Sequence, residues 1–239
     1  MWAICKKELR QFFSNLTGYI AVVVFLLVNG LVLFVFPDNI FDFGYATLDR
    51  FFQLAPWILL LLIPAITMRS FSDEFKSGTF EILQTKPVRS NDVVLGKYLG
   101  NLGVALVALL PTLVYIISIQ KLSASEGLDM GATIGSYIGL FFLTAVFTAI
   151  GVCISSLTNN SVVAFIASLI SCALLYYGFS AISRIPAFES GADYYIEMLG
   201  IDFHYHSISR GVIDSRDVIY FLSIIVLFLS VTQRNLLKR

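Results

Sequence analysis

Residues Arg69–Gly100 read RSFSDEFKSGTFEILQTKPVRSNDVVLGKYLG, and this stretch decides how the chain is laid out. An apolar run of membrane length stands on each side of it, at 52–68 and 97–119. Between them, over 69–92, the chain leaves the bilayer as a short amphipathic piece. Ser70 is placed to cap a helix start with Asp73 in its first turn. Phe71 and Phe75 are four apart, and Phe80, Ile82 and Leu83 continue the apolar side beyond Gly78. Asp73, Glu74, Lys76 and Glu81 supply the polar side, the pattern of a helix lying in the interface plane. Lys86-Pro87 stops it, because proline disfavours helix at the preceding residue. Ser90-Asn91-Asp92 then caps the next span, where an acidic side chain suits a helix N-terminus. Periodicity alone fits equally well a solvated loop that joins two spans and anchors at the headgroups.

Composition sets the class. The 239 residues are 57% hydrophobic and 13% charged, with mean hydropathy +0.82, whereas soluble domains carry about 25% charged residues. The expected fold is all-α and integral to the membrane, one transmembrane domain over 1–239 with no room for a soluble catalytic domain. A formal net charge of zero argues against a nucleic-acid partner. Cys5, Cys153 and Cys172 sit in or beside apolar runs and form neither a disulfide framework nor a CxxC metal pair.

Six spans are expected, at 19–36, 52–68, 97–119, 134–154, 162–182 and 218–232. The first follows a basic start with no small-residue cleavage site and is read as retained. Pro56 and Pro64 in the second, and Pro111 in the third, predict kinks whose freed carbonyls neighbouring helices must satisfy. Met130–Ser183 holds no Asp, Glu, Lys or Arg and is divided by SSLTNNS at Ser155–Ser161 into a tight hairpin of two spans. Between the fifth and sixth, residues 184–217 mix aromatics with acids and suit a re-entrant or interfacial segment on the far face. With six spans, eleven of the sixteen Lys and Arg residues fall on the side of the termini and the 69–92 segment, which makes that side cytoplasmic. Gly96/Gly100 and Gly127/Gly131/Gly135/Gly139 recur every four residues and predict close helix approach, inside the monomer or in a dimer.

The run Glu74-x3-Gly78-Thr79-x-Glu81-x-Leu83, then Pro87-Val88, then Gly96-Lys97 at a helix base, closely resembles the ABC-2 type permease family. That resemblance implies a coupling element that docks in a groove of a cytoplasmic ABC ATPase. It makes Phe75 and Phe80 the apolar anchors and Glu74 and Glu81 the partners of basic groove residues. ATP and magnesium would be held by the ATPase, in two copies per complex, and no cofactor by this chain. Lys97 is expected as an interfacial anchor at the span base. A second match, Arg210-Gly211-Val-Ile-Asp214, precedes the last span, and Asp214 is most simply that span's cap. KKELRQFFSNLTGYI, APWILLLLIPAITMRSFSDE and DMGATIGSYIGLFFLTAVFTAIG extend the likeness along the chain to the gliding-motility ABC permease subunit. This implies an inner-membrane exporter subunit associated with gliding motility, beside a second membrane subunit or a second copy, while the Lys and Arg count places both termini in the cytoplasm.

Other readings stand beside it. Gly96-Lys97-Tyr98 lacks the glycine cradle and the Ser or Thr of a phosphate-binding loop. His204 and His206, with Glu197 and Asp202 nearby, lack a recognisable zinc pattern, although a membrane hydrolase would have to use one of them. The span interiors carry no charge, which disfavours intramembrane catalysis and proton relay. Asn29, Thr112, Ser118, Thr144 and Thr148 are the polar groups left within spans, and they more often join helices than bind substrate. The alternative to a permease is a non-transporting membrane module that passes ATPase motion to outer-face machinery.

Overall fold

A computed structural model of the chain describes residues 1–14, 16–36, 47–85, 89–123, 127–185 and 193–238. Among them every regular element is helical. In chain order these are α1 (Trp2–Phe13), α2 (Leu16–Phe34), α3 (Asp49–Thr67), α4 (Ser72–Lys76), α5 (Thr79–Gln84) and α6 (Ser90–Leu109). A 3-10 turn, Leu110–Thr112, leads into α7 (Leu113–Leu122), followed by α8 (Met130–Ser155) and α9 (Ser161–Ala173). A π-helical turn, Leu174–Gly178, joins α9 to α10 (Phe179–Ser183), and α11 (Asp193–Glu197), α12 (Ile201–Ser209) and α13 (Ser215–Leu237) complete the chain. Among the described residues, five helical stretches are long and apolar enough to cross a membrane, and six if α2 is counted with α1, from which it bends by 72°. The chain is a multi-pass integral membrane protein.

Helix α8 is the axis of the bundle. Its uncharged sequence suits burial on all sides, and 78% of its apolar window is covered, against 22% for α9–α10 and for α13. Helices α3, α6, α9, α12 and α13 all pack on it. Gly151 makes the contact with α3 possible, since a Cβ there would collide with Thr67.

Both prolines of α3 lie inside an unbroken helix and are buried. Pro56 has no N–H, so the carbonyl four residues before it, on Phe52, has no helical donor. The hydroxyl of Tyr205 on α12 donates to that carbonyl at 2.7 Å. For Pro56, then, the carbonyl freed by the proline is satisfied from α12, a helix too short to cross a membrane. Pro111 has a sharper effect: the third span breaks into α6 and α7 at the 3-10 turn, where Thr112 Oγ1 donates to the Leu109 carbonyl at 2.7 Å.

The stretch from α12 into the last span is tied down by small and buried groups. Gly211 has φ +86° just beyond α12, and its Cα faces Gly135, where a Cβ would come within 2.7 Å of it. Gly139 faces the ring of Tyr205. These two members of the Gly127–Gly139 series therefore serve packing within the monomer. Asp214 Oδ1 accepts from the Arg216 N–H at 3.0 Å, the helix-capping role expected of it. The last span is longer than the expected 218–232, because α13 starts at Ser215 and runs to Leu237. Asp217, just before the expected start, is buried against His204.

Candidate functional site

The segment 69–92 folds as two short helices rather than one. Gly78, at φ +68°, separates α4 from α5, a backbone shape that glycine adopts without penalty. The turn folds the apolar side of the segment onto itself. Phe75 and Phe80 meet edge to face at 4.9 Å, and Phe71 stacks on Phe75 at 5.9 Å. Together with Val93, Val94, Val152 and Leu236 they form a small second core at one end of the bundle. Ser155, at the end of α8, supports it from below. Its hydroxyl oxygen accepts from the Phe71 and Ser72 N–H groups at 3.0 and 3.2 Å and donates to the Met68 carbonyl at 3.0 Å. Ser155 thus takes the capping role expected of Ser70, since α4 starts after Phe71 with no side-chain cap of its own. Helix α6 begins after Arg89, likewise without a side-chain cap, so Ser90 is its first residue rather than its cap, and Asp92 lies in the first turn.

Beneath this core lies a buried charge cluster. Lys97, expected at the headgroup interface, is 1% exposed. Its Nζ lies 3.0 Å from Glu8 Oε1 and 3.0 Å from Glu74 Oε2, donates to the Ser70 carbonyl, and sits 4.8 Å from the centre of the Phe71 ring. Lys7 Nζ closes the other side of Glu74 at 2.6 Å. The physical reason for the correction is the docking of α1. Gly96, Gly100 and Gly103 form a bed on α6 for Ile4, Glu8 and Leu9, so the face of α6 bearing Lys97 is covered by protein. Two cations and two carboxylates from α1, α4 and α6 are thereby locked together. Asn101 adds a bond from Nδ2 to Ser70 Oγ at 3.1 Å.

The residues singled out on the segment consequently divide. Glu74, Phe75 and Phe80 are engaged inside the chain. Gly78, Thr79, Glu81 and Ile82 are exposed, and Ile82 is 62% exposed although apolar. Leu83 is on α5, and Pro87 lies outside the described residues. Sequence reasoning missed Lys7 and Glu8. Their signal was the amphipathic spacing of WAICKKELRQFF, which places Glu8 among apolar residues. It also missed Ser155 and Asn235. Asn235 Nδ2 donates to the Ser156 carbonyl at 2.8 Å and brings the end of α13 to the same platform.

A helical bundle with a charged platform at one end is a general design, and sequence comparison narrows it. The profile of the family described as ABC-2 family transporter protein matches residues 2–199. The chain belongs to the ABC-2 transporter family. It is a transmembrane permease subunit of an ABC transporter, a class of membrane component that works with an ATPase subunit and is not itself catalytic. No curated protein matches this permease by sequence.

At the other end of the permease, Arg210, Gly211 and Asp214 form the turn from α12 into the last span. The histidines face different ways. His204 is buried between Asp217, at 2.6 Å from Nδ1, and the Met198 carbonyl, at 2.9 Å from Nε2, and stacks on Tyr220 at 3.8 Å. His206 is exposed and pairs with Asp202 at 3.2 Å. The hydrogen bond to Asp202 raises the His206 pKa, against the opposing effect of burial. Burial pushes Asp202 up, but His206 and the hydroxyls of Tyr176 and Ser180 outweigh it and hold the carboxyl below its usual range. Among the described residues no three His, Cys, Asp or Glu side chains gather as a metal site.

Proposed function

We propose that this permease is driven by a separate cytoplasmic ATPase, with ATP and magnesium bound there, through the 69–92 segment. The observation that carries the reading is the buried Lys97 cluster. It fastens α4 to the base of the third span and to α1, so a push on the segment acts on membrane helices without slack. A segment that only joined two spans would have no reason to bury Lys97 and Glu8 beneath it, with Glu74 drawn in beside them, since burying charge is costly unless the geometry is maintained. The docking face is the exposed side, Gly78, Thr79, Glu81 and Ile82, with Ile82 as the apolar anchor. Phe75, Phe80 and Glu74 transmit force from behind that face.

In this reading the platform and both termini are cytoplasmic, the membrane is the inner membrane, and two ATPase copies act on two membrane halves. The second half is another copy or a related subunit. Export, and a place in gliding motility, rest on the resemblance of the sequence. Co-purification of the chain with its cognate ATPase tests the core of the proposal. Ile82→Arg/Glu81→Arg is expected to abolish association while leaving the thermal stability of the permease unchanged. Association that survives this pair of changes would remove the docking assignment.

A further inference from the structure

A second feature of the same end of the bundle lies outside the docking face. Helices α1, α2, α3 and α6 leave a cleft of about 140 Å³ between them. One wall is apolar: Phe12 at the end of α1, with Ala21, Ala65 and Ile66 of α2 and α3, line it. The mouth is polar and carries Arg69, whose nearest acid, Asp73, is 3.9 Å away, at the limit of an ion pair. The one carboxylate in the wall, Glu8, is already matched by Lys97 at 3.0 Å. Gln11 belongs both to this cleft and to a shallow hollow on the outer face of α1 that holds Lys6 and Arg10. Lys6 and Arg10 are exposed and have no ion-pair partner among the described residues. An apolar slot between spans therefore opens into a band of three cations with little opposing charge.

We infer that this cleft binds a phospholipid with an anionic headgroup, its phosphate at Arg69 and Arg10 and the start of an acyl chain against Phe12, Ala21 and Ile66. The ligand must supply negative charge and a hydrocarbon chain at adjacent points, at the end of a membrane-spanning bundle. A phospholipid does both; the surface of a water-soluble protein matches the cations but has no chain for a slot between spans. Basic side chains beside a membrane are worth about 1 kcal/mol each toward anionic lipid. The inference does not depend on the ATPase reading, because the lipid site and the Ile82 face use different residues.

The test uses the full chain exchanged into nanodiscs of phosphatidylglycerol or phosphatidylcholine, with retained lipid measured by native mass spectrometry. Phosphatidylglycerol is expected to be retained in preference. That preference should fall about fivefold in Arg69→Gln and about fivefold again on adding Arg10→Gln, the equivalent of about 1 kcal/mol per charge. Ala65→Phe, which fills the slot, should remove retention of both lipids. Both arginines are exposed at the surface, so their replacement leaves the fold intact and keeps the test decisive. Equal retention of the two lipids by wild type, or a preference untouched by the double arginine change, overturns the proposal. Displacement of phosphatidylglycerol by millimolar inorganic phosphate would mean an anion site without the acyl slot, and would also overturn it. So would loss of ATPase co-purification in Arg69→Gln/Arg10→Gln with lipid preference unchanged, which assigns the band to a protein.

Discussion

Replacing Lys97 by methionine keeps the volume of the stem and removes one charge from the cluster that joins α1, α4 and α6. Before the change, Lys7 and Lys97 balance Glu8 and Glu74. Afterwards Glu8 and Glu74, whose side chains are 9% and 13% exposed, share Lys7 alone, and Lys7 lies against Glu74. At 3.0 Å and an effective dielectric constant of about 20, each lost contact amounts to about 5.5 kcal/mol of Coulomb energy. Desolvation of Lys97 in the native protein and repulsion between the two carboxylates offset most of it. The measured cost of stranding a buried charge, about 3–5 kcal/mol, is therefore the expected loss.

The diagnostic variant is Lys97→Met/Glu8→Leu. It removes one charge of each sign, leaves the Lys7–Glu74 pair neutral, and replaces two buried ions by apolar groups. Such exchanges of whole buried pairs are often neutral, so the double variant should recover at least about 2 kcal/mol of the single variant's loss. Equilibrium unfolding of the purified chain in mixed detergent, followed by fluorescence of Trp2 and Trp57, reads both numbers. If the double variant is as unstable as Lys97→Met, or if Lys97→Met costs under about 1 kcal/mol, the cluster is not a coupled unit and the rigid link from α4 to the third span fails with it.

Other consequences are smaller. Tyr205→Phe leaves the Phe52 carbonyl without a donor in a buried site and should cost about 1–3 kcal/mol in the same unfolding assay; an unchanged midpoint would mean that water replaces the hydroxyl. Gly100→Ala brings a Cβ to 2.6 Å from Glu8 Cβ and should cost about 1–3 kcal/mol by forcing α1 off α6. Gly178→Ala, whose nearest neighbours are at 3.8 Å, should not, and equal effects would contradict the α1 bed. The His206–Asp202 pair predicts a pH dependence with a definite sign. The raised pKa of His206 gives stability that is complete below its unfolded value of 6.5 and is lost as pH rises through the folded one. The lowered pKa of Asp202 gives stability present above 3.8 and lost as pH falls through its folded value. Because the histidine is exposed, the gain in the window between is about 0.5 kcal/mol. Wild type should therefore lose, relative to His206→Ala, a small increment of stability between pH 5.5 and pH 8; parallel pH profiles would show the pair to be inert.

The sequence by itself determined the membrane class, because hydropathy is a property of composition and span length. It also marked the hairpin at Ser155–Ser161 and the position of the 69–92 segment. It located the prolines that need outside help, since a missing N–H can be read from one residue. Which groups supply that help could not be read: Tyr205 reaches the Phe52 carbonyl across 153 positions, and Glu8 reaches Lys97 across 89. The same gap misplaced Lys97. A lysine at a span end looks like a headgroup anchor until α1 is known to lie on Gly96 and Gly100. Likewise, no local pattern shows that the turn at Gly78 brings the rings of Phe75 and Phe80 together and leaves Ile82 exposed. Local pattern says where the chain enters and leaves the membrane, because each residue's transfer energy is largely its own. Only the tertiary structure decides which charged and aromatic side chains stay exposed and which are consumed within, because that depends on what a distant helix covers.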